Sequence, residues 1–291
     1  MSHTQDFDVI VVCGGIAGST LAGVLARSGL EVLVVEKEAR FRDRIRGEST
    51  WPYGVADALH LGLVDLFART RSVELVGVKK YDRGDVVRDY RWATDSIAGL
   101  SEMGFSHERL QEASFAWAAS NVATMMRPAK ATKFTRNGRP TVTVAEGGRE
   151  TEFAARLVVG SDGKQSMAQR WTGGKSVADP SQGHGTGTAL LFHDVRALGE
   201  LLLAEMDWGA DIAAYADRRS RYFDAVLQYD RWQCTLSAGQ GAEADRLREG
   251  HERANGQDPS LGGFALIEAR GPDGLVANSV ARRMHFGEHL A

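Results

Sequence analysis

Asp8-Val9-Ile10-Val11-Val12 sets apolar, mostly β-branched residues side by side, and a glycine-rich turn follows at once. Such a run predicts a buried strand. Leu21, Val24 and Leu25 then recur at helical spacing, and Gly29 stands where a helix C-terminal cap wants a residue free to adopt positive φ. Residues 32–35 form a second apolar run that ends in Glu36. Strand, helix and strand in this order predict a βαβ unit.

Further along, the charged, glycine-containing stretch 40–54 reads as a loop entering a helix over residues 55–67. Residues 73–78 and 86–92 flank Asp82-Arg83-Gly84-Asp85 and predict a hairpin. Residues 110–122 read as helix. Weak alternation over 134–153, broken at Asn137-Gly138 and Gly147-Gly148, predicts a short antiparallel meander. Leu157-Val158-Val159 reads as one more buried strand, running into Gly160-Ser161-Asp162-Gly163. From Thr188 the pattern is helical, with Leu191, Val195, Leu198 and Leu202 on one face, and a second helix is predicted over 212–227. Turn residues at Asn255-Gly256, Gly262-Gly263 and Gly271-Pro272-Asp273-Gly274 then predict short, broken elements.

Composition narrows the class without naming a function. A chain of 291 residues can form one large domain or two modest ones. A formal net charge of −3 gives no reason to expect nucleic acid or an anionic membrane surface as partner. Two cysteines without paired spacing, Cys13 and Cys234, speak against a disulfide framework or a cysteine zinc site and fit a reducing, cytoplasmic setting. The first apolar run is too short for a signal peptide, and no stretch reaches the ~18 apolar residues of a membrane span. His285 and His289 share helical i,i+4 spacing but bring no third ligand, so no metal site is expected.

The turn Cys13-Gly14-Gly15-Ile16-Ala17-Gly18 carries the chemistry. Gly15 lets the backbone approach a pyrophosphate, and Gly18 lets helix and strand pack closely. The helix N-terminus offers free N–H donors to phosphate oxygens. Glu36 can accept hydrogen bonds from ribose hydroxyls, and its charge disfavours a 2′-phosphate, which points to FAD or NAD over NADP. Ile16, Ala17 and Lys37 complete this expected half-site. Cys13 departs from the pattern, because a glycine normally makes this tight turn. It reads as a tolerated or damaging substitution, the alternative being a reactive thiol at a helix N-terminus.

With these residues in hand, the chain resembles the p-hydroxybenzoate-hydroxylase-like FAD monooxygenases. The motifs behind the resemblance are Cys13 to Gly18 with Glu36, Arg44-Ile45-Arg46-Gly47-Glu48, Gly160-Ser161-Asp162-Gly163 with Ser166 and Arg170, and Asp179-Pro180-Ser181-Gln182-Gly183-His184-Gly185. The resemblance implies an α/β fold: a Rossmann-like FAD-binding domain with a parallel sheet, a small antiparallel substrate region and C-terminal helices. The corresponding segments would be 1–72 and 101–291 for the FAD-binding part and 73–100 for the substrate-region hairpin. It further implies that Arg46 lies against the flavin or its pyrophosphate, and that Asp162 and Gly163 lie near the pyrophosphate and ribityl chain. Pro180, Gly183 and Gly185 would sit beside the isoalloxazine. The implied reaction is hydroxylation of an aromatic or polycyclic small molecule, with NAD(P)H visiting as a transient co-substrate to reduce the flavin before O₂ is used.

Two departures from that family stand out. His107 occupies a position where the family often has arginine. Only residues 171–178 separate the Asp-Gly motif from the Asp-Pro loop, where the family carries most of its substrate sheet. Two other readings therefore stay open: a non-catalytic flavin-binding protein, and an NAD-binding protein that uses the first βαβ unit alone. No Gly-x-Ser-x-Gly elbow is visible, and no acid–base residue is nominated. Trp51-Pro52-Tyr53 reads as packing, with a place near a flavin ring as the alternative.

Overall fold

Val9 and Val11 pack into one apolar core and Ile10 and Val12 into another, on opposite faces of a single sheet. The neighbouring strand does the same, with Val32 and Val34 on one side and Leu33 and Val35 on the other. A strand covered on both faces has no use for polar alternation, hence the unbroken apolar runs in the sequence. The computed structural model describes residues 5–43, 48–82, 84–96, 98–136, 138–163, 166–174, 186–204, 208–258, 261, 267 and 271–288.

The opening βαβ unit consists of β1 (Gln5–Val12), α1 (Ile16–Arg27) and β2 (Val32–Val35). Gly29, at φ +94°, follows the end of α1 and donates its N–H to the Ala26 carbonyl at 3.0 Å, as a helix stop requires. Next come β3 (Ser49–Thr50), α2 (Pro52–His60), α3 (Val64–Arg69), β4 (Val73–Leu75), β5 (Gly77–Asp82) and β6 (Asp85–Arg91). They are followed by α4 (Trp92–Asp95), β7 (Glu102–Gly104) and α5 (His107–Ser120). Then come β8 (Thr124–Met126), which pairs with β2, and the meander β9 (Lys130–Thr135), β10 (Thr141–Glu146) and β11 (Arg149–Gly160). The helices α6 (Met167–Trp171), α7 (Thr186–Ala204), α8 (Trp208–Ala238), α9 (Ala242–Gln257) and α10 (Ser279–His285) follow.

The main sheet has the order β8-β2-β1-β11-β10-β9, parallel from β8 through β11 and antiparallel beyond. This is the expected mixed α/β architecture. β11 joins its two halves: residues 149–154 pair with β10, and its later residues run alongside β1 as far as Val12↔Gly160. The last strand of the predicted meander and the predicted 157–159 strand are thus one long strand, since nothing between them breaks the backbone. Helices α1, α5 and α7 pack over one face of the sheet.

Several expectations need correction. The helix predicted over 55–67 is two helices, because Gly62 takes φ +70° and ends the first. Residues 73–75 do not join the hairpin; they pair with β7 in a separate three-stranded sheet, while β5 and β6 pair with each other alone among the described residues. The second long helix spans 208–238, well past the expected 212–227, because Tyr222, Val226, Tyr229 and Trp232 keep burying the same face. Asn255-Gly256 lies inside α9 rather than at a break, since Leu247, Gly250 and Ala254 hold that helix against its neighbours. Gly262 and Gly263 lie outside the described residues.

A third core joins Trp51 and Tyr53 to aromatic residues of α8 and to Phe286, so Trp51-Pro52-Tyr53 packs as expected. His285 is 1% exposed, wedged among Tyr229, Trp232 and Phe286; His289 lies outside the described residues. No described helix is long and apolar enough to cross a membrane.

Candidate cofactor site

The C-terminal ends of β1, β2 and β11 meet at one edge, where a helix N-terminus faces the ligand side of an α/β sheet. A cleft of about 710 Å³ opens there, within the range of small-molecule and cofactor sites. It runs from Cys13, Gly15, Ile16 and Ala17, past Glu36 and Lys37, to Asp162 and Gly163. Eight residues singled out from the sequence therefore share one cavity. Gly18 stands behind the turn: a Cβ there would press into the Cys13 carbonyl oxygen and Ser161 Oγ and come within 3.0 Å of Val11 Cγ1. Arg46, Pro180, Gly183 and Gly185 lie outside the described residues.

The start of α1 is built to receive an anion. Gly15 occupies the N-cap without any side-chain cap, and the first turn holds no acidic residue. The leading N–H groups keep their positive end turned to the cleft. A Cβ on Gly15 would meet nothing nearer than 3.7 Å, so this glycine leaves open space where the backbone faces the cavity.

Glu36 is 1% exposed yet lines the cleft. Its Oε1 accepts the Glu38 N–H at 2.7 Å, and its Oε2 accepts the Gly14 N–H at 2.8 Å and the Cys13 thiol at 3.3 Å. These bonds fix the carboxylate between turn and strand. Cys13 itself sits at φ +86°, a region that disfavours any side chain. Cys13 is therefore accommodated at the cost of a strained backbone. Burial, and then the adjacent Glu36 carboxylate, push the thiol up to about 12. It stays protonated at neutral pH, against the reactive-thiol alternative.

At the far end, Asp162 is held in place by its own helix. It accepts the Ser166 hydroxyl at 2.6 Å and the N–H groups of Met167 and, at 3.2 Å, Ala168, at the start of α6. Ser161 donates its hydroxyl to the carbonyls of Val12 at 3.0 Å and Cys13 at 2.7 Å, tying the end of β11 to the phosphate turn.

Sequence reasoning missed the rim. Arg127, after β8, forms a bidentate pair with Glu112 of α5 at 2.7 and 2.9 Å and donates to the Glu38 carbonyl at 2.7 Å. Its guanidinium lies over the Phe41 and Phe115 rings, and Glu112 also accepts the Phe41 N–H at 2.9 Å. This knot positions Glu38, Phe41 and Arg42 along the cleft. His107 and Gln111, one turn apart on α5, face the same cavity, and so does Lys130. Apart from the resemblance that drew notice to His107, no local motif marks these residues.

An uncapped helix N-terminus, a carboxylate on the next strand and a cleft that joins them define a dinucleotide-binding α/β protein. A family model described as FAD binding domain matches residues 6–182. The chain belongs to that family. Among curated proteins it is 36% identical over 78 residues to squalene epoxidase of Candida albicans, covering 26% of this chain and 16% of that protein. It is 44% identical over 64 residues to squalene monooxygenase of Mus musculus, 22% of this chain and 11% of that one. The chain thus spans less than a fifth of the length of either relative. Among solved structures, PqsL of Pseudomonas aeruginosa superposes with a TM-score of 0.52 at 22% identity, over 60% of this chain and 48% of that one. p-Nitrophenol 4-monooxygenase PnpA of Pseudomonas putida gives 0.52 at 18% identity, over 58% and 44%. These structural likenesses establish the shared fold.

Proposed function

We propose that this chain is an FAD-dependent monooxygenase, using NAD(P)H and acting on an aromatic or polycyclic small molecule. The observation that carries the reading is the single cleft shared by the α1 N-terminus, Glu36 and Asp162. The residues present fit FAD. The free N–H groups of α1 would hold its pyrophosphate, Glu36 would accept from the adenosine ribose, and Asp162 would face the pyrophosphate and ribityl chain. When bound, the flavin supplies the redox chemistry that brings O₂ to the substrate. The chain's own residues bind and orient. Arg127 and Glu112 hold the Glu38 and Phe41 backbone at the rim, and Ser161 ties the turn to the end of β11. Relatives bearing monooxygenase names, and a solved p-nitrophenol 4-monooxygenase with the same fold, support the reaction class.

A second reading, a flavin-binding protein without hydroxylase turnover, is favoured by the state of the substrate side. All three residues of β4 are exposed, and the β5–β6 hairpin has no further strand beside it among the described residues. Purification with flavin absorbance that denaturation releases would support the cofactor assignment. NAD(P)H-dependent O₂ consumption would then separate enzyme from binding protein. Glu36→Ala is expected to weaken FAD binding about 10- to 100-fold, the scale of hydrogen bonds to a charged group. Equal affinities by isothermal titration would refute the ribose role.

A further inference from the structure

We infer that Cys13 sets the ribose specificity of the cleft, by occupying on Glu36 an acceptor position that a second ribose hydroxyl would need. This rests on the cofactor reading above and adds a determinant to it. An ionised carboxylate offers about four lone-pair positions, two on each oxygen. On Glu36, Oε2 already receives the Gly14 N–H at 2.8 Å and the Cys13 thiol at 3.3 Å. Oε1 receives the Glu38 N–H at 2.7 Å. Three positions are filled, and the one left is on Oε1. A vicinal diol that reaches a carboxylate with both hydroxyls needs a free position on each oxygen. Here only one hydroxyl can be bound.

Neither backbone donor can be withdrawn without breaking the fold, because Gly14 and Glu38 flank the strand ends that build the cleft. The thiol is the only one of the three that belongs to a side chain. It is held against the carboxylate by a backbone fixed at φ +86°, and it remains a donor because burial beside Glu36 disfavours its ionisation. The ligand that suits this arrangement is an adenine dinucleotide recognised through one ribose hydroxyl. A ribose lacking the other hydroxyl is accepted nearly as well.

The test compares FAD with two analogues, one carrying 2′-deoxyadenosine and one 3′-deoxyadenosine, titrated into apoprotein by quenching of flavin fluorescence. With the natural chain, one analogue is expected to bind within about twofold of FAD, and the other to lose about tenfold or more, the worth of one charge-assisted hydrogen bond. Cys13→Ala keeps the Cβ and the backbone geometry while removing the donor, so both analogues should then lose about tenfold or more. Cys13→Ser restores a donor and should return the single-hydroxyl pattern. Loss with both analogues in the natural chain would overturn the inference, as would identical patterns for the natural chain and Cys13→Ala. If FAD binds to none of the three proteins, the cofactor reading itself fails and takes this inference with it.

Discussion

Gly15 and Gly18 lie three residues apart, yet adding one methyl group to each should break different things. At Gly18 the new Cβ would meet the Cys13 carbonyl oxygen, Ser161 Oγ and, at 3.0 Å, Val11 Cγ1. Two of these are backbone or tightly bonded groups, since Ser161 Oγ is held by two carbonyls. Overpacking of this kind costs about 1–3 kcal/mol, and rigid neighbours place it near 3. Alanine in place of a mid-helix glycine recovers about 1 kcal/mol through backbone entropy. Gly18→Ala should therefore destabilise the fold by about 2 kcal/mol, a fall of roughly 0.7–1 M in the urea midpoint for a slope of about 2–3 kcal/mol per M. At Gly15 nothing stands nearer than 3.7 Å, so Gly15→Ala should cost less, about 0.5–1 kcal/mol, the gap between glycine and alanine at an N-cap. Its methyl group would instead enter the cleft and weaken FAD binding at least about tenfold, one lost close approach of backbone to phosphate. Urea unfolding of the apoproteins and flavin titration of both variants make the comparison. An unchanged midpoint for Gly18→Ala, or equal destabilisation by both substitutions, would refute this division of labour.

Cys13→Gly should stabilise the apoprotein by about 1 kcal/mol: relief of a strained φ is worth about 1–3 kcal/mol, less the added freedom of glycine in the unfolded chain. A lower urea midpoint would show that φ +86° carries no strain here. His285 gives a pH signature, because burial, and then nearby His251, depress its pKa to about 3. Its unfolded value is about 6.5, so the unfolded chain binds the extra proton between those limits; stability is full above pH ~6.5 and falls by at most about 1.4 kcal/mol per unit below it. His285→Phe should flatten this acid limb in urea unfolding followed from pH 7 to 4, and parallel profiles would refute the assignment. Because only residues 171–178 stand where a substrate sheet is expected, NAD(P)H oxidation should be largely uncoupled, with peroxide formed in place of hydroxylated product. Stoichiometric hydroxylation of any aromatic or polycyclic substrate would overturn that expectation.

What the sequence made legible was whatever short-range chemistry dictates. The β1–α1–β2 unit, the Gly29 stop and the Cys13–Gly18 turn each follow from residues within about thirty positions, and the structure places them accordingly. The helix over 212–227 was legible but not its full length in α8, and α9 was not, because Asn255-Gly256 looks like a turn until Gly250 is seen with no room for a Cβ against the Phe286 carbonyl. The rim was equally hidden. Glu112 bonds the Phe41 N–H across 71 positions, and Arg127 reaches the Glu38 carbonyl across 89. Nothing local in either residue announces such a partner, so half the cleft wall emerges only when the chain is folded.

The placement of β11 beside β1 also has a consequence in time. Gln5 pairs with Phe153, and Val12 with Gly160. During synthesis at about 5–20 residues per second, β1 must wait roughly 7–30 s for its central neighbour to be made. Through that interval one edge of the opening βαβ unit is bare, with unsatisfied N–H and C=O groups flanked by β-branched side chains. The nascent chain is then at its most prone to aggregation, and Ser161 has yet to tie the phosphate turn to its neighbour. Yield of this protein in cells should therefore depend more on translation speed and chaperone supply up to about residue 160 than on anything in its helical C-terminal half.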